Sequence, residues 1–595
     1  MPYLMKNFLI YTLATITGII LASLLFFITM ISSLSIMVAS GEKPASITSN
    51  SVLILNTGVM IPDRTDPNPF AGFDIINMTM IQAPGLNDIL RNLDKAAVDP
   101  KVKGVLIENG LIESGWATTE ELRNALKKFR EESGKFVIAY SDYVLLQKAF
   151  YLSSVADKIY INPSSMVDFK GLSGDVMFYK KALEKIGVDV QIIRHGKFKG
   201  AVEPFMLDKL SDENREQIKD YVGSIWNHAV KMISESRGIS EGQLNLLADK
   251  LSGYIAEGAL ESRLVDGLLF RDQLYDTLKI LSGLTTDDKI SLVQMSKYSK
   301  VPDHHKSTTS KNRISVIYAS GSIVMGKGNE YNIGGNNYAD IIRKERKDSS
   351  VKAIVMRVNS PGGSPIASDM IWRELKLAAE VKPVVISMGN YAASGGYYIS
   401  APGTKIYTNA TTITGSIGVF GMIPNAEKLM EQKLGITHET VNTNENSDFI
   451  SVYRPLESYE KEVMQMSVEK IYADFVNKVA EGRKKTFESV DNIGQGRVWS
   501  GTSAIKIELA DEIGGLRDAI SGAAKLAGID SLYSVRELPA VEDPYTKLIN
   551  QLSGNIKMNM LKKELGESYR FYNEIKDIST ISGIQARLPY YIDIH

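Results

Sequence analysis

The chain has 595 residues, which is enough for several domains or for one large composite domain. Its 68 Lys and Arg residues nearly balance its 69 Asp and Glu residues, and the net charge of −1 gives no indication of a nucleic-acid partner. Cysteine is absent, so the composition excludes disulfides, thiolate catalysis and cysteine-ligated metal sites.

The amino terminus carries a long stretch without charge. Residues 7–41 contain no charged side chain, and their apolar core exceeds the roughly 20 residues that a bilayer-spanning helix requires. The apolar region of a signal peptide is shorter, about 7–15 residues. We therefore predict a membrane anchor over residues 1–41, with residues 8–38 in the membrane; cleavage after Ser40 is the alternative. Lys6 favours a cytoplasmic amino terminus, with the bulk of the chain outside the cytoplasm.

From residue 51 onward, apolar β-rich runs alternate with segments of helical periodicity. The first half contains "SVLILN", "KGVLIEN", "KFVIAY", "DKIYIN" and "VQIIR", and the second half contains "RISVIYA", "KAIVMRV", "PVVISM", "TKIYTN" and "HETVN". Runs with little polar alternation indicate strands covered on both faces, and strands that alternate with helices indicate βαβ units. The sequence therefore predicts an α/β fold with largely parallel sheets.

The order of these elements repeats within the chain. The stretch "DKIYIN" from Asp157 returns as "TKIYTN" from Thr404, an offset of 247 residues (404 − 157). Self-similarity over so long a period indicates duplication of one large unit rather than an array of short repeats. The predicted organisation beyond the anchor is a first copy at 50–295, a linker at 296–313, a second copy at 314–540 and a carboxyl-terminal extension at 541–595.

The two copies differ at chemically informative places. In the second copy Ser394 lies in the small-residue run "AASGG", whereas Gln147 occupies the same offset in the first copy. The turn "NSPGGSP" at 359–365 likewise has no double glycine in its first-copy counterpart. Conversely, only the first copy has the lysine cluster "GKFKGAVEPF" at 196–205. One copy thus carries a distinctive serine, and the other carries a distinctive lysine.

A serine hydroxyl is a weak nucleophile until a base removes its proton. None of the six histidines lies in a pattern typical of a Ser-His-Asp arrangement, although the members of a triad can come from anywhere in a chain. A lysine can serve as the base if burial or a cationic neighbour keeps its amine neutral. Lys199, followed by the small apolar run Gly200–Val202, is the candidate. Solvated surface positions for both Lys197 and Lys199 are the alternative.

Acyl transfer also requires donors for the developing oxyanion. Backbone N–H groups in a glycine-rich turn suit this task, because no Cβ blocks the approach of a substrate. The turn "SPGGS" is such a candidate, with a plain proline-glycine turn as the alternative. A second small-residue turn, "TGSIG", offers the hydroxyl of Ser416, although on its own this turn indicates only a structural role.

Four stretches together resemble one known family. "RVNSPGGSP", "SMGNYAASGGYYIS", "TNATTITGSIGVFG" and "GKFKGAVEPF" closely resemble the long-form signal peptide peptidase A family, also called protease IV. The resemblance covers essentially the whole chain and implies a tandem duplication of a Clp-protease/crotonase-like domain, preceded by one transmembrane helix. It also implies a Ser-Lys serine protease that assembles as a homotetramer. Such a protease is anchored in the bacterial inner membrane, and its catalytic bulk on the periplasmic side degrades cleaved signal peptides.

The resemblance assigns roles residue by residue. Ser394 would be the nucleophile, Lys199 the general base, and Ser416 the serine that orients the lysine amine. The backbone N–H groups expected to bind the oxyanion belong to Gly362 or Gly363 and to Gly395. We expect no cofactor and no metal. We predict that folding brings Ser394 and Lys199 within hydrogen-bond reach, roughly 2.6–3.2 Å.

Two other functions remain open at this stage. Crotonase-like enzymes share the implied fold and use the same oxyanion geometry on acyl-CoA thioesters, but they usually work through carboxylates and lack a membrane anchor. A non-catalytic membrane scaffold is the third hypothesis, and the intact serine and lysine argue against it. Labelling of Ser394 by a covalent serine-directed probe would separate the two classes of enzyme.

Overall fold

The computed structural model describes the chain in separate stretches: residues 10–25, 29, 45–66, 73–74, 79–80, 84–108, 110–303, 310–529, 532–540, 583–588 and 593–594. Residues 10–25 form helix α1, whose side chains are exposed. Within these stretches, no helix combines the length and the apolar character that crossing a bilayer requires. The remainder of the predicted anchor, apart from residue 29, lies outside the described residues, as does most of the predicted carboxyl-terminal extension.

The first unit is built on a six-stranded parallel sheet. The first unit as a whole contains the following strands, six of which form this sheet: β1 Ser51–Asn56, β2 Phe73–Asp74, β3 Thr79–Met80, β4 Val102–Glu108, β5 Phe136–Ser141, β6 Val144–Leu146, β7 Lys158–Ile161, β8 Met166–Asp168, β9 Gly174–Asp175, β10 Asp189–Arg194, β11 Gly267–Leu268 and β12 Ser291–Gln294. The sheet order is β11-β7-β5-β4-β1-β12, and all neighbouring pairs are parallel. Its central strands are almost continuously apolar, as in VKGVLIE of β4, because both faces of the sheet are covered.

Helices provide that cover. They are α2 Leu86–Val98, α3 Trp116–Ser133, α4 Gln147–Ser153, α5 Lys180–Ile186, α6 Glu203–Met206, α7 Asp212–Arg237, α8 Glu241–Asp249, α9 Ala256–Glu261, α10 Arg271–Leu281 and α11 Met295–Tyr298, with a 3₁₀ turn at Gly200–Val202. Adjacent residues of β1 point to opposite faces, so Val52 and Leu53 belong to separate apolar clusters. Helix α10 supplies Leu274 to the cluster of Val52, and helix α2 supplies Leu90 to that of Leu53.

The second unit repeats this plan. Its strands are β13 Arg313–Ser320, β14 Ser322–Val324, β15 Asn332–Gly334, β16 Val351–Ser360, β17 Gly362–Gly363, β18 Val384–Ala393, β19 Lys405–Thr408, β20 Ile413–Gly415, β21 Phe420–Asn425, β22 Val498–Ser500, β23 Glu512–Ile513 and β24 Ser534–Leu538, followed by β25 Gly583–Arg587 and β26 Asp593–Ile594. The pairing order β24-β13-β16-β18-β19-β23 matches β12-β1-β4-β5-β7-β11 of the first unit. The predicted α/β class and the duplication are therefore visible in the topology.

Helices also flank the second sheet. They are α12 Gly335–Lys347, α13 Pro365–Ala379, α14 Gly395–Ser400, α15 Ser458–Arg483, α16 Phe487–Ile493, α17 Gly501–Lys506 and α18 Leu516–Leu526, with a π-helical turn at Leu429–Lys433. Helix α18 packs Ala519 and Ala523 against one face of this sheet, in the same cluster as Val316 and Val355. The other face carries the larger cluster, to which helix α13 contributes Ile371.

A third sheet joins the two units. Its order is β10-β21-β25-β17-β14-β15, so it combines a strand of the first unit, strands of the second unit and the carboxyl-terminal strand β25. The run "VQIIR" lies in β10, which pairs antiparallel with β21, from Asp189 opposite Asn425 to Arg194 opposite Phe420. This pairing holds the segment after β10, which contains Lys199, beside the second unit.

One predicted strand does not form. Residues 438–442, "HETVN", have neither helix nor strand structure, and Val441 is 92% exposed. Strand residues of this type are stabilised by packing on a half-buried surface, and here there is none.

A buried ionic cluster also connects the units. Arg357 on β16 has no solvent exposure, and its guanidinium lies 2.8 Å from Asp63 and 2.7 Å from Glu121, both of the first unit. Burial alone would lower the pKa of Arg357, but the two carboxylates raise it above its ordinary value. Burying ions costs several kcal/mol each unless they are well paired, so each member of this cluster depends on the others.

We predict that Arg357→Met destabilises the chain, because it leaves two buried carboxylates without a cationic partner. Breaking a buried ion pair in this way costs about 3–5 kcal/mol. Urea unfolding followed by tryptophan fluorescence measures the loss in the free energy of unfolding. Arg343→Met is the matched control, since Arg343 pairs with Glu374 nearer the surface, where a pair is worth about 0–1 kcal/mol. Equal effects of the two substitutions would contradict the role given to Arg357.

Candidate active site

Ser394 lies at a sharp turn between a strand and a helix. β18 ends at Ala393, and helix α14 begins at Gly395. Between them Ser394 adopts φ 55° and ψ −116°, and a non-glycine residue in so unusual a conformation costs about 1–3 kcal/mol. Its N–H donates to the Gly415 carbonyl at 2.8 Å, which holds the turn in place. The hydroxyl is directed toward the segment after β20 and lies 3.4 Å from the Gly418 carbonyl oxygen.

The first unit uses the equivalent position differently. Gln147, the counterpart of Ser394, begins helix α4, and its side-chain amide donates to the Gly171 carbonyl at 2.7 Å. Gly171 is itself the counterpart of Gly418 (171 + 247 = 418). The two units therefore make the same contact with different chemistry. In the first unit the side chain that makes this contact is the Gln147 amide, which has a structural role. In the second unit it is the Ser394 hydroxyl group.

Lys199 reaches the site from the first unit. It follows β10 and directly precedes the 3₁₀ turn at Gly200–Val202, and its side chain has no solvent exposure. Its backbone packs against Gly496 of the second unit, where an added Cβ would come within 2.7 Å of the Lys199 Cα. Gly496 also has φ 84°, so both the conformation and the close approach require glycine there.

The Lys199 amine is surrounded by three oxygens. Its Nζ lies 3.0 Å from Ser394 Oγ, 3.0 Å from Ser416 Oγ and 3.3 Å from the Ser416 carbonyl oxygen. The first distance is within the range that the sequence predicted. Burial lowers the pKa of Lys199 well below its ordinary value of 10.5, which favours the neutral amine. A neutral amine has two N–H donors and one lone pair, so the two Ser416 oxygens can accept the N–H groups while the lone pair faces Ser394.

A backbone hydrogen bond holds Ser416 in position. Its φ of 48° is again unusual for a residue with a side chain, and its N–H donates to the Arg497 carbonyl at 2.7 Å. The Arg497 guanidinium lies 4.8 Å from the centre of the ring of Phe198, the residue that precedes Lys199 in the chain. Ser394, Lys199 and Ser416 are all fully buried, so none of them is a solvated surface group. The alternative of a solvated surface position is wrong for Lys199, whereas Lys197 is exposed.

The structure brings the three predicted oxyanion glycines together. An added Cβ on Gly362, whose φ is 100°, would come within 2.7 Å of the Gly395 nitrogen. The Gly362 N–H already donates to Ser360 Oγ at 3.2 Å. The N–H groups of Gly363 and Gly395 are therefore the better candidates for binding an oxyanion beside Ser394.

Histidine and metal chemistry have no support in the described part of the chain. His195 lies 2.6 Å from Glu469 and stacks on a tyrosine, His228 lies 3.5 Å from Glu120, and His438 stacks on Tyr453. Among the described residues, no group of His, Asp and Glu side chains could hold a metal ion. Of the candidate bases, Lys199 is the one that the structure places beside Ser394.

Sequence reasoning missed three features of the site. The Gly418 carbonyl oxygen lies 3.4 Å from Ser394 Oγ, Gly496 makes room for Lys199, and strand β25 lies along the glycine turn. Gly418 is the last residue of the turn "TGSIG", so it lies within a motif that the sequence had already indicated. The alternation of Ile584, Ala586 and Leu588 is a short strand signal.

Known proteins resemble this chain over most of its length. Residues 129–285 and 376–530 each match peptidase family S49. The chain is 34% identical over 518 residues to Protease 4 of Haemophilus influenzae, which covers 85% of this chain and 83% of that protein. It is 31% identical over 509 residues to the chloroplastic serine protease SPPA of Arabidopsis thaliana, which covers 84% and 74% of the two chains. A ClpP1 mutant of Listeria monocytogenes aligns over 34% of this chain and 94% of its own, at 14% identity and a TM-score of 0.24.

These matches bear on the duplication and on the class of enzyme. The two family matches begin 247 residues apart (376 − 129), which is the offset of the internal repeat. The duplication is thereby confirmed, whereas the Clp-protease/crotonase-like fold of each copy stays a prediction. The matched family is described as a peptidase family, and both named relatives are proteases. The chain therefore belongs to peptidase family S49 and is a serine protease.

Proposed function

We propose that this chain is a membrane-anchored endopeptidase that degrades cleaved signal peptides through a Ser394–Lys199 dyad. One observation carries the proposal: a buried Lys199 amine lies 3.0 Å from Ser394 Oγ, although the two residues belong to different copies. The acyl-CoA alternative would rely on a carboxylate base, whereas the group beside Ser394 is an amine. A purely structural scaffold would gain nothing from a strained serine and a desolvated lysine placed together.

The first half of the reaction follows from the positions of these groups. The Lys199 lone pair accepts the proton of the Ser394 hydroxyl, and Ser394 Oγ attacks the carbonyl carbon of the scissile peptide bond. The resulting ammonium group donates to the two oxygens of Ser416, which stabilise the positive charge. The backbone N–H groups of Gly363 and Gly395 donate to the oxyanion that forms on the substrate.

The second half reverses the proton transfer. Lys199 gives its proton to the departing amine, the peptide bond breaks, and an ester with Ser394 remains. A water molecule then gives a proton to the Lys199 amine and attacks the ester. The tetrahedral intermediate collapses to a carboxylic acid, which loses its proton to solvent, and the proton on Lys199 returns to Ser394. Lys199 thus acts as base and acid in turn, which requires a pKa far below that of a solvated lysine.

The location and assembly of the enzyme are part of the same proposal. Residues 8–38 hold the chain in the bacterial inner membrane, and the catalytic bulk lies on the periplasmic side as a homotetramer. The uncharged stretch at 7–41 supports the anchor. The resemblance of four sequence motifs to the signal peptide peptidase A family supports the substrate, the side of the membrane and the tetramer.

We predict that Ser394→Ala and Lys199→Ala each abolish peptidase activity and leave the fold intact. Loss of the general base alone lowers kcat by about 10²–10⁴-fold, and loss of the nucleophile lowers it at least as much. Hydrolysis of a synthetic signal peptide, followed by mass spectrometry, measures the loss, and circular dichroism checks the fold. Full activity in Lys199→Ala would refute the assignment of the base.

Ser416→Ala is expected to have a smaller effect. The substitution removes one of the two oxygens that accept from the lysine amine, and the Ser416 carbonyl remains. A hydrogen bond to a charged group contributes about 1.5–3 kcal/mol, which corresponds to a loss of about 10–100-fold in kcat. Steady-state kinetics on the same peptide measure this loss. A change in KM with no change in kcat would show that Ser416 binds substrate rather than positions the amine.

Peptidase activity should depend on the loss of a proton from Lys199. Activity falls as the pH drops through the pKa of Lys199, because protonation removes the lone pair. Since burial holds this pKa well below 10.5, the acid limb of the profile of kcat/KM against pH lies well below pH 10.5. An acid limb close to pH 10.5 would contradict the buried-base mechanism.

Two arginine substitutions provide the matched control for this profile. Lys199→Arg is inactive at every pH, because the guanidinium stays charged. Lys197→Arg, at the exposed lysine two residues earlier, keeps the wild-type profile. Loss of activity in both variants would mean that the segment, rather than the buried amine, is sensitive to substitution.

A further inference from the structure

A buried glutamine on helix α7 lies between the two segments that carry the lysine base and its serine partner. Gln217 is 1% exposed. Its side-chain amide donates to the carbonyl of Phe198, the residue before Lys199, at 3.0 Å. Its side-chain oxygen accepts from the N–H of Val498, in strand β22 of the second unit, at 3.0 Å. One side chain thus connects the backbone beside Lys199 with the backbone of the other unit.

The contact with Val498 leads directly to Ser416. Val498 follows Arg497 in the chain, and the Arg497 carbonyl accepts from the Ser416 N–H at 2.7 Å. A displacement of Val498 would therefore displace the backbone that positions Ser416. The separation between the Lys199 backbone and the Ser416 backbone consequently depends on the amide of Gln217.

A second buried amide holds Gln217 itself. Asn214, three residues earlier on α7, has no solvent exposure, and its side-chain oxygen accepts from the Gln217 amide. Its own amide donates to Oγ of Ser211, the N-cap of the helix, at 3.2 Å. A Cβ added to Gly200, directly after Lys199, would come within 2.4 Å of Asn214 Oδ1. The chain around Lys199 is therefore packed closely on this pair of amides.

The equivalent helix of the second unit has no such pair of amides. Helices α7 and α15 both have 26 residues and begin 246 residues apart (458 − 212). At this offset Val463 corresponds to Gln217, and Glu460 corresponds to Asn214. Because α15 packs on its unit with a valine at this position, the packing of the helix does not itself require an amide. A buried polar side chain that packing does not require is expected at a functional site.

The chemistry of glutamine suits this position. One of its neighbours is a carbonyl, which requires a donor, and the other is an N–H group, which requires an acceptor. An amide offers both without a charge, whereas an ionised carboxylate has no donor and a cationic side chain has no acceptor. The charged side chains of the adjoining residues pair with one another, since Arg497 lies 3.2 Å from Glu216 and 2.8 Å from Asp220.

We propose that Gln217 is a positioning residue of the dyad, and that its amide sets the separation of the two segments that place the Lys199 amine against Ser394 Oγ. This inference rests on the proposed function, because it takes Lys199 as the base. Gln217 acts through Lys199 and Ser416 rather than on the substrate. Its effect on the rate can still be large, since a misplacement of about 1 Å at a reacting group can cost about 100-fold.

Gln217→Met tests this proposal, because it keeps the length of the side chain and removes both hydrogen bonds. We expect kcat on a synthetic signal peptide to fall about 10–100-fold, while KM changes less than about twofold. The acid limb of the profile of kcat/KM against pH should also move to higher pH. The reason is that water recruited by the freed Phe198 carbonyl and Val498 N–H lessens the desolvation of the Lys199 amine.

Gln217→Glu is the second variant, and it keeps the proposal testable if Gln217→Met does not fold. A protonated carboxyl group has a donor and an acceptor, as the amide has, whereas an ionised one has no donor. The ratio of this variant's kcat to the wild-type kcat should therefore be highest at low pH and should fall as the introduced carboxyl group ionises. A ratio that is low at every pH, or that rises with pH, would contradict the proposal.

Two other variants of helix α7 are the matched controls. Ile233→Val removes a methyl group from a buried core side chain that lies 16 residues further along the helix (233 − 217), about 24 Å from Gln217. Asp220→Asn removes an exposed ion pair with Arg497. Both should keep kcat within about twofold of the wild type and leave the acid limb in place. A loss of kcat in Ile233→Val as large as that in Gln217→Met would overturn the proposal, because the stability of the helix would then be the cause.

The wild-type assay separates the two possible failures. If the wild type cleaves the peptide, Ser394→Ala does not, and Gln217→Met keeps the wild-type kcat and acid limb, the positioning role is overturned and the proposed function stands. If the wild type does not cleave the signal peptide, the proposed function fails and this inference fails with it.

Discussion

The chemistry of this protein depends on keeping a lysine amine uncharged and against a hydroxyl group. Lysine in water stays protonated at neutral pH, so the amine must be desolvated to act as a base. Here the lysine comes from the first unit, and the residues that enclose it, Ser394, Ser416 and Gly496, come from the second unit. Neither unit could bury this amine alone. The contact between the two units is therefore also what activates the nucleophile.

Two features of the interface hold the two units together. The β10–β21 pairing fixes the register of the segment that leads to Lys199, and the buried cluster of Arg357, Asp63 and Glu121 links the second sheet to the first unit. A misplacement of about 1 Å at a reacting group can cost 10²-fold in rate, so such distant supports matter for catalysis. Duplication provided two similar scaffolds, of which one kept a strained serine turn and the other a structural glutamine, Gln147.

Much of this architecture could be predicted from the sequence, for identifiable reasons. Continuous apolar runs indicated buried parallel strands. Comparison of the copies singled out Ser394 and the lysine cluster that contains Lys199, because the other copy has neither a serine nor a lysine at the corresponding place. The β10–β21 pairing could not be predicted, since it joins residues 236 positions apart (425 − 189) and "VQIIR" has the same apolar character as a parallel strand. The pairing of Arg357 with Asp63 and Glu121 could not be predicted either, because the periodicity of "KAIVMRV" indicates a strand and does not identify the partners of its arginine.

The pKa of Lys199 is the most direct measure of the central claim. It can be obtained by carbon-13 NMR on protein labelled at the lysine ε-carbon, with the Lys199 signal assigned by its absence from a Lys199→Met variant. We expect this signal to titrate well below 10.5, while exposed lysines titrate near their ordinary value. A Lys199 signal that titrates together with the exposed lysines would contradict a buried, neutral base.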